Sequence, residues 1–87
     1  MSLKVMVAPN PFSTDLAVTV QSAAPINIVV RLLTEAGAVV RVKGCVLEAG
    51  ENKLQMNNLG KYVPGDYRVE VKLLNGDLVA DYRVLKQ

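Results

Sequence analysis

The chain has no histidine and no tryptophan, and only one cysteine and one phenylalanine among its 87 residues. Without histidine, the side chain that most often serves as general base near neutral pH is missing. Cys45 has no second cysteine to bond within the chain and no histidine beside it, so neither a zinc cluster nor a Cys-His nucleophile pair can be assembled. It is expected to be an ordinary strand or edge residue, or to pair between molecules when oxidised. Long charge runs are missing too. Ten basic and eight acidic residues are interspersed for a net charge of +2, so no block accumulates the phosphate contacts that nucleic-acid binding needs. Apolar stretches are broken by Arg31, Arg41 and Lys43, well short of the roughly 20 residues of a membrane-spanning helix. A soluble domain without a transmembrane segment is expected. No basic segment followed by a long apolar one precedes the first strand pattern, which places any export signal on a part of the parent outside this sequence. Met1-Ser2-Leu3 reads as a start appended to an excised domain.

Phosphate-cradling loops are absent as well. Gly37, Gly50, Gly60, Gly65 and Gly76 are spread about one per turn and never form a G-x-G-x-x-G or Walker pattern. The carboxylates Asp15, Glu35, Glu48, Glu51, Asp66, Asp77 and Asp81 fall mainly in turns, without the alternating Asp and Asn of a calcium loop. No catalytic, cofactor-binding or metal-binding residue is assigned, and no cofactor is expected.

What is present is aliphatic. Hydrophobic residues make up 51% of the chain and aromatic ones 5%, so a core has to be built from Val, Leu, Ile and Ala, which suits a thin two-layer body. A single domain over residues 1–87 would bury only roughly 60 to 65% of its unfolded surface. Apolar residues recur at i and i+2 with turn residues between the runs, the pattern of an all-β sandwich. Strands are expected over residues 3–8, 15–21, 26–33, 38–43, 50–58, 67–73 and 78–85. Leu16, Val18 and Val20 should share one face, and Ile26, Ile28, Val30 and Leu32 another, with Val29 and Leu33 making that third strand apolar on both sides, hence either central or lying under a partner surface. Val40 and Val42 are expected inward, Gly44 to mark a bulge or the end of pairing, and residues 57–65 to form a short helical turn or an arch between sheets. Asn52, Leu54 and Met56 alternate with Lys53 and Gln55, and Tyr67, Val69, Val71 and Leu73 should face the core while Arg68, Glu70 and Lys72 face water. The fold class that follows is an immunoglobulin-like antiparallel β-sandwich of about seven strands in two sheets.

Three signals punctuate this pattern. Pro9-Asn10-Pro11-Phe12 ends the first strand, because proline donates nothing to a ladder, and forms a stiff extended corner that drops Phe12 into the core. Gly65-Asp66-Tyr67 opens a strand after the arch, and Tyr67 is placed like the tyrosine corner of Greek-key sandwiches, its hydroxyl bonding backbone a few residues upstream. Asn75-Gly76 is a hairpin signal, expected as a type I′ turn with positive φ at both residues. Stacking of a sugar on Tyr62, Tyr67 or Tyr82 would need an exposed aromatic platform, and Tyr67 is expected to be buried.

The order and spacing of these pieces, from residues 7–20 through 32–40 and 50–79 to the terminal Tyr-Arg-Val-Leu-Lys-Gln, resemble the type A carboxy-terminal sorting domain of type IX secretion substrates of Bacteroidetes. That resemblance covers nearly the whole chain. It implies a sorting signal rather than an enzyme: a folded label at the end of a larger cargo protein, bound in the periplasm by the outer-membrane translocon and its shuttle protein. A sortase-like peptidase would then remove it, and the cargo would be secreted or held at the cell surface. Recognition would fall on the last hairpin and on Val84, Leu85, Lys86 and Gln87, with Lys86 matching the basic residue common near the family's end. Termination one residue after Lys86 fits such a label. The alternative is an accessory binding module of the same fold, carbohydrate-binding, fibronectin-like or adhesive, on a secreted enzyme. A pilus subunit completed by strand exchange would leave a strand missing, whereas seven strand signals are present.

Overall fold

A computed structural model of the chain describes residues 3–87; Met1 and Ser2, part of the expected appended start, lie outside the described residues. Seven strands follow one another: β1 (Leu3–Ala8), β2 (Leu16–Ser22), β3 (Ile26–Thr34), β4 (Val39–Leu47), β5 (Gly50–Met56), β6 (Gly65–Leu73) and β7 (Leu78–Lys86). They form two antiparallel sheets, in the orders β1-β2-β5 and β4-β3-β6-β7. The fold is the expected β-sandwich. Among the described residues no helix is long and apolar enough to cross a membrane.

Alternation decides which side chains meet between the layers. Leu16, Val18 and Val20 of β2 and Leu54 and Met56 of β5 are buried from one sheet, and Ile28, Val30, Leu32, Val69 and Val71 from the other. The third strand is central, paired with β4 on one side and β6 on the other. Phe12 is 1% exposed and fills this aliphatic core as its largest fully buried side chain. Leu59, within the arch between β5 and β6, is completely buried as well, and its N–H donates to Thr14 O at 2.7 Å. That tie holds the arch against the link from β1 to β2.

The structure corrects the sequence reading of β4. Pairing continues through Gly44, opposite Val29, to Leu47, because Leu47 is itself a core residue and anchors the far end of the strand. The irregularity lies instead at Leu32/Leu33, where the register slips past Val40. A one-residue bulge reverses the alternation beyond it. Arg41, Lys43 and Cys45 therefore share a face with the buried Leu32, Val30 and Ile28, and Val42 turns outward to 57% exposure. Cys45 is free and half-buried, packed against the core.

The inward position of two basic residues at a sheet edge has a use. Lys43 Nζ donates to Gln55 O at 2.8 Å and Arg41 Nη1 to Asn57 O at 2.9 Å. Both acceptors lie on or just beyond β5, the facing edge of the smaller sheet. Across the opposite seam, the Tyr82 hydroxyl of β7 donates to Val5 O of β1. Side chains from the larger sheet thus satisfy edge carbonyls of the smaller one along both open sides, and inward-pointing charge discourages pairing with foreign strands.

The last hairpin differs from the expected type I′ turn. Gly76 N–H donates to Leu73 O at 3.0 Å, Leu73 N–H donates to Asp77 O at 2.9 Å, and of the two central residues Gly76 alone has positive φ, at 95°. This is a three-residue loop whose final position requires the left-handed conformation that glycine adopts without a Cβ penalty.

Candidate functional site

The link from β1 to β2 runs out of the smaller sheet and lies along the end of β7 in the larger one. Both Ala8–Pro9 and Asn10–Pro11 bonds are cis, and Pro9, Asn10 and Pro11 are exposed while Phe12 is buried. Phe12 N–H donates to Leu85 O and Gln87 N–H to Phe12 O, each at 2.8 Å. Phe12 and Lys86 so form a parallel bridge. Asn10 adds its side chain: Leu85 N–H donates to Asn10 Oδ1 at 2.9 Å, and Asn10 Nδ2 reaches Arg83 O at 3.4 Å. Ser13 Oγ donates to Gln87 Oε1 at 3.0 Å. Residues 9–13 are a strap across the edge of the terminal strand.

The Gly65-Asp66-Tyr67 signal belongs to the same cluster. Gly65 has φ 145°, a conformation that L side chains rarely adopt, and it brings the chain from the arch into β6 opposite Lys86. Tyr67 is 6% exposed, and its hydroxyl donates to Val63 O, four residues upstream, at 2.6 Å. That is the expected tyrosine corner. Its ring packs on Phe12, and across the strand its partner is Val84.

Of the four terminal residues singled out by resemblance, two are withdrawn from solvent. Val84 is 2% exposed and Lys86 5%, whereas Leu85 is 45% exposed and Gln87 also lies on the surface. Lys86 buries its aliphatic stem and turns its amino group to Gln87 O, 2.6 Å away. Asn75 and Gly76 are exposed at the far end of the β6–β7 hairpin, so the fold does not join them to the strap.

A second cluster, on the outer face of the larger sheet, was missed in the sequence. Glu70 is 8% exposed rather than facing water. Arg68 Nη2 donates to Glu70 Oε2 at 2.8 Å, and Arg68 Nε donates to Asp81 Oδ1 at 3.3 Å. Arg31 lies opposite Glu70 on the neighbouring strand, with its Nε 3.8 Å from Oε1. That separation is too long for a hydrogen bond, and both atoms are without a hydrogen-bond partner among the described residues. The two arginines cover the carboxylate from either side, which an alternation argument cannot foresee; the Arg68-x-Glu70 spacing on one face was its only trace. Among the described residues no group of three or more His, Cys, Asp or Glu is placed to hold a metal ion.

No family model matches the chain, and no curated protein matches it. Solved structures share its fold. A GH3 β-glucosidase of Bifidobacterium adolescentis superposes with a TM-score of 0.58 at 17% identity, over 98% of this chain and 17% of that one. A mutant β-glucosidase of Listeria innocua in complex with laminaribiose gives 0.56 at 15% identity, over 99% of this chain and 16% of that one. The chain thus spans about a sixth of either protein, and the likeness is one of fold.

Proposed function

We propose that this domain is a non-catalytic sorting signal of the type IX secretion system, carried by a larger cargo protein and bound in the periplasm by the outer-membrane translocon and its shuttle protein. The sortase-like peptidase supplies the chemistry of removal, and the cargo ends at the surface or in the medium. One observation carries the reading: Pro9-Asn10-Pro11-Phe12, Gly65-Asp66-Tyr67 and the terminal strand, far apart in sequence, are one physical unit. Phe12 bonds to Leu85 and Gln87, packs on Tyr67, and Tyr67 pairs with Val84. A periplasm-directed reporter fused ahead of the domain tests it. Export in a type IX-competent host, and retention in a host lacking the translocon, is the expected result; export in both defeats the proposal. Removing Leu85, Lys86 and Gln87 should also trap the fusion, provided that the truncated domain still unfolds cooperatively.

A second reading, an accessory module of a secreted glycosidase, is favoured by the fold shared with the two β-glucosidase chains. Binding of an oligosaccharide by the isolated domain separates it from the first.

A further inference from the structure

The terminal strand is an edge strand whose outward backbone is already used at its end, at Arg83 O, at Leu85 and at Gln87 N–H. In an antiparallel ladder, both backbone groups of alternate residues point away from the partner strand. At Leu85 those two groups are taken, the N–H by Asn10 Oδ1 and the carbonyl by Phe12 N–H. The Arg83 carbonyl receives the Asn10 amide. A partner that added its own strand here would first have to lift the strap away and expose Phe12, the largest fully buried side chain. What the surface offers without any unfolding is a set of side chains. Leu85 stands out from the outer face, 45% exposed, and Pro9 and Pro11 of the strap bonded to its backbone are exposed as well. Arg83 is also exposed and takes part in no ion pair among the described residues.

We infer that the recognised element is this composite surface, Pro9, Asn10 and Pro11 of the strap together with Arg83, Leu85 and Gln87, and that its partner reads side chains on this strapped end of the sheet edge instead of adding a strand to it. The partner chemistry that fits is a protein surface with an apolar seat for Leu85 and the proline rings, rimmed by a carboxylate for Arg83. Because the strap and the last strand come together only in the folded sandwich, recognition of this kind also reports that the domain has folded. The inference rests on the sorting reading.

The test compares export of the reporter fusion for the intact domain, Asn10→Ala, Leu85→Glu and Leu85→Met, each checked for cooperative unfolding. Asn10→Ala loosens the strap without touching the core. Side-chain reading expects its export to fall, and strand addition expects it to hold or rise, since the edge is then freer. Leu85→Glu should lower export about tenfold or more, the loss of one anchor in a protein interface, while Leu85→Met stays near the intact domain. Asn10→Ala exported as well as the intact domain, or Leu85→Glu exported normally, overturns the inference. Should Asn10→Ala not fold, the exposed Leu85 pair decides alone. An intact fusion that stays in the periplasm defeats the sorting reading, and this inference falls with it.

Discussion

The rings of Phe12 and Tyr67 meet edge to face, with centroids 6.1 Å apart and planes at 72°. This contact joins the strap to the tyrosine corner, and the geometry is the one the ring quadrupoles favour. Phe12 holds the strap in two ways, through its backbone bonds to Leu85 and Gln87 and through its buried ring.

Phe12→Ala removes the ring and keeps the backbone bonds. It should cost about 3 to 5 kcal/mol, a large part of the stability available to a domain of this size. Denaturant titration measures the loss. In a double-mutant cycle with Tyr67→Ala, the aromatic pair should show a coupling of about 0.5 to 1.5 kcal/mol. An unchanged unfolding midpoint for Phe12→Ala would mean that the ring is not part of the core.

How far the sequence carried the fold depended on whether local pattern or neighbouring strands decided each position. The alternation of Leu16, Val18 and Val20, the burial of Phe12 and the corner role of Tyr67 were legible, because each follows from residue type and spacing. The outward turn of Val42 was not. It results from a one-residue slip at Leu32/Leu33, and alternation downstream of a bulge reverses without any local mark. Arg41 and Lys43 were unreadable for the same reason, since a charged inward residue is tolerable only at an edge whose facing strand offers carbonyls. Glu70 was hidden differently: its burial comes from Arg31 on another strand and from the reach of Arg68. In the site, the two motifs and the terminal strand were legible separately. Their contact was not, because the pairing of Phe12 with Lys86 spans almost the whole chain.

The Glu70 cluster separates a buried ion pair from an exposed one within a single arginine. The Glu70 side chain is 11% exposed and that of Asp81 38%, and Arg68 bonds to both. Glu70→Ala leaves Arg31 and Arg68 facing one another without the carboxylate that they cover. The cost should be about 1 to 3 kcal/mol, below that of a fully buried pair because both arginines are partly solvated. Asp81→Ala should cost less than about 1 kcal/mol. Added salt should shrink the Asp81 effect more than the Glu70 effect, since screening acts mainly on exposed charge. Equal costs for the two variants, with equal salt dependence, would mean that burial does not distinguish them.

The isolated domain should bind no sugar, because every tyrosine it could stack one on is already engaged. The Tyr67 ring lies in the core. Tyr62 donates its hydroxyl to Val40 O at 3.0 Å, and its ring has the Arg41 and Lys61 cations 5.7 and 5.6 Å from its centroid. Tyr82 is 38% exposed, yet its hydroxyl is tied to Val5 O across the seam, which holds the ring along the gap between the sheets instead of leaving it free as a platform. The groove beside it, lined by Lys4, Met6, Thr19, Gln21 and Glu51, is the place where an oligosaccharide would find most polar partners next to an aromatic ring. Calorimetric titration with laminaribiose and longer glucans at millimolar concentration should therefore give no heat beyond dilution. A micromolar isotherm that Tyr82→Ala abolishes, in a variant that still unfolds cooperatively, would replace the sorting reading with the accessory-module one, since the domain would then hold a ligand that an address label has no use for.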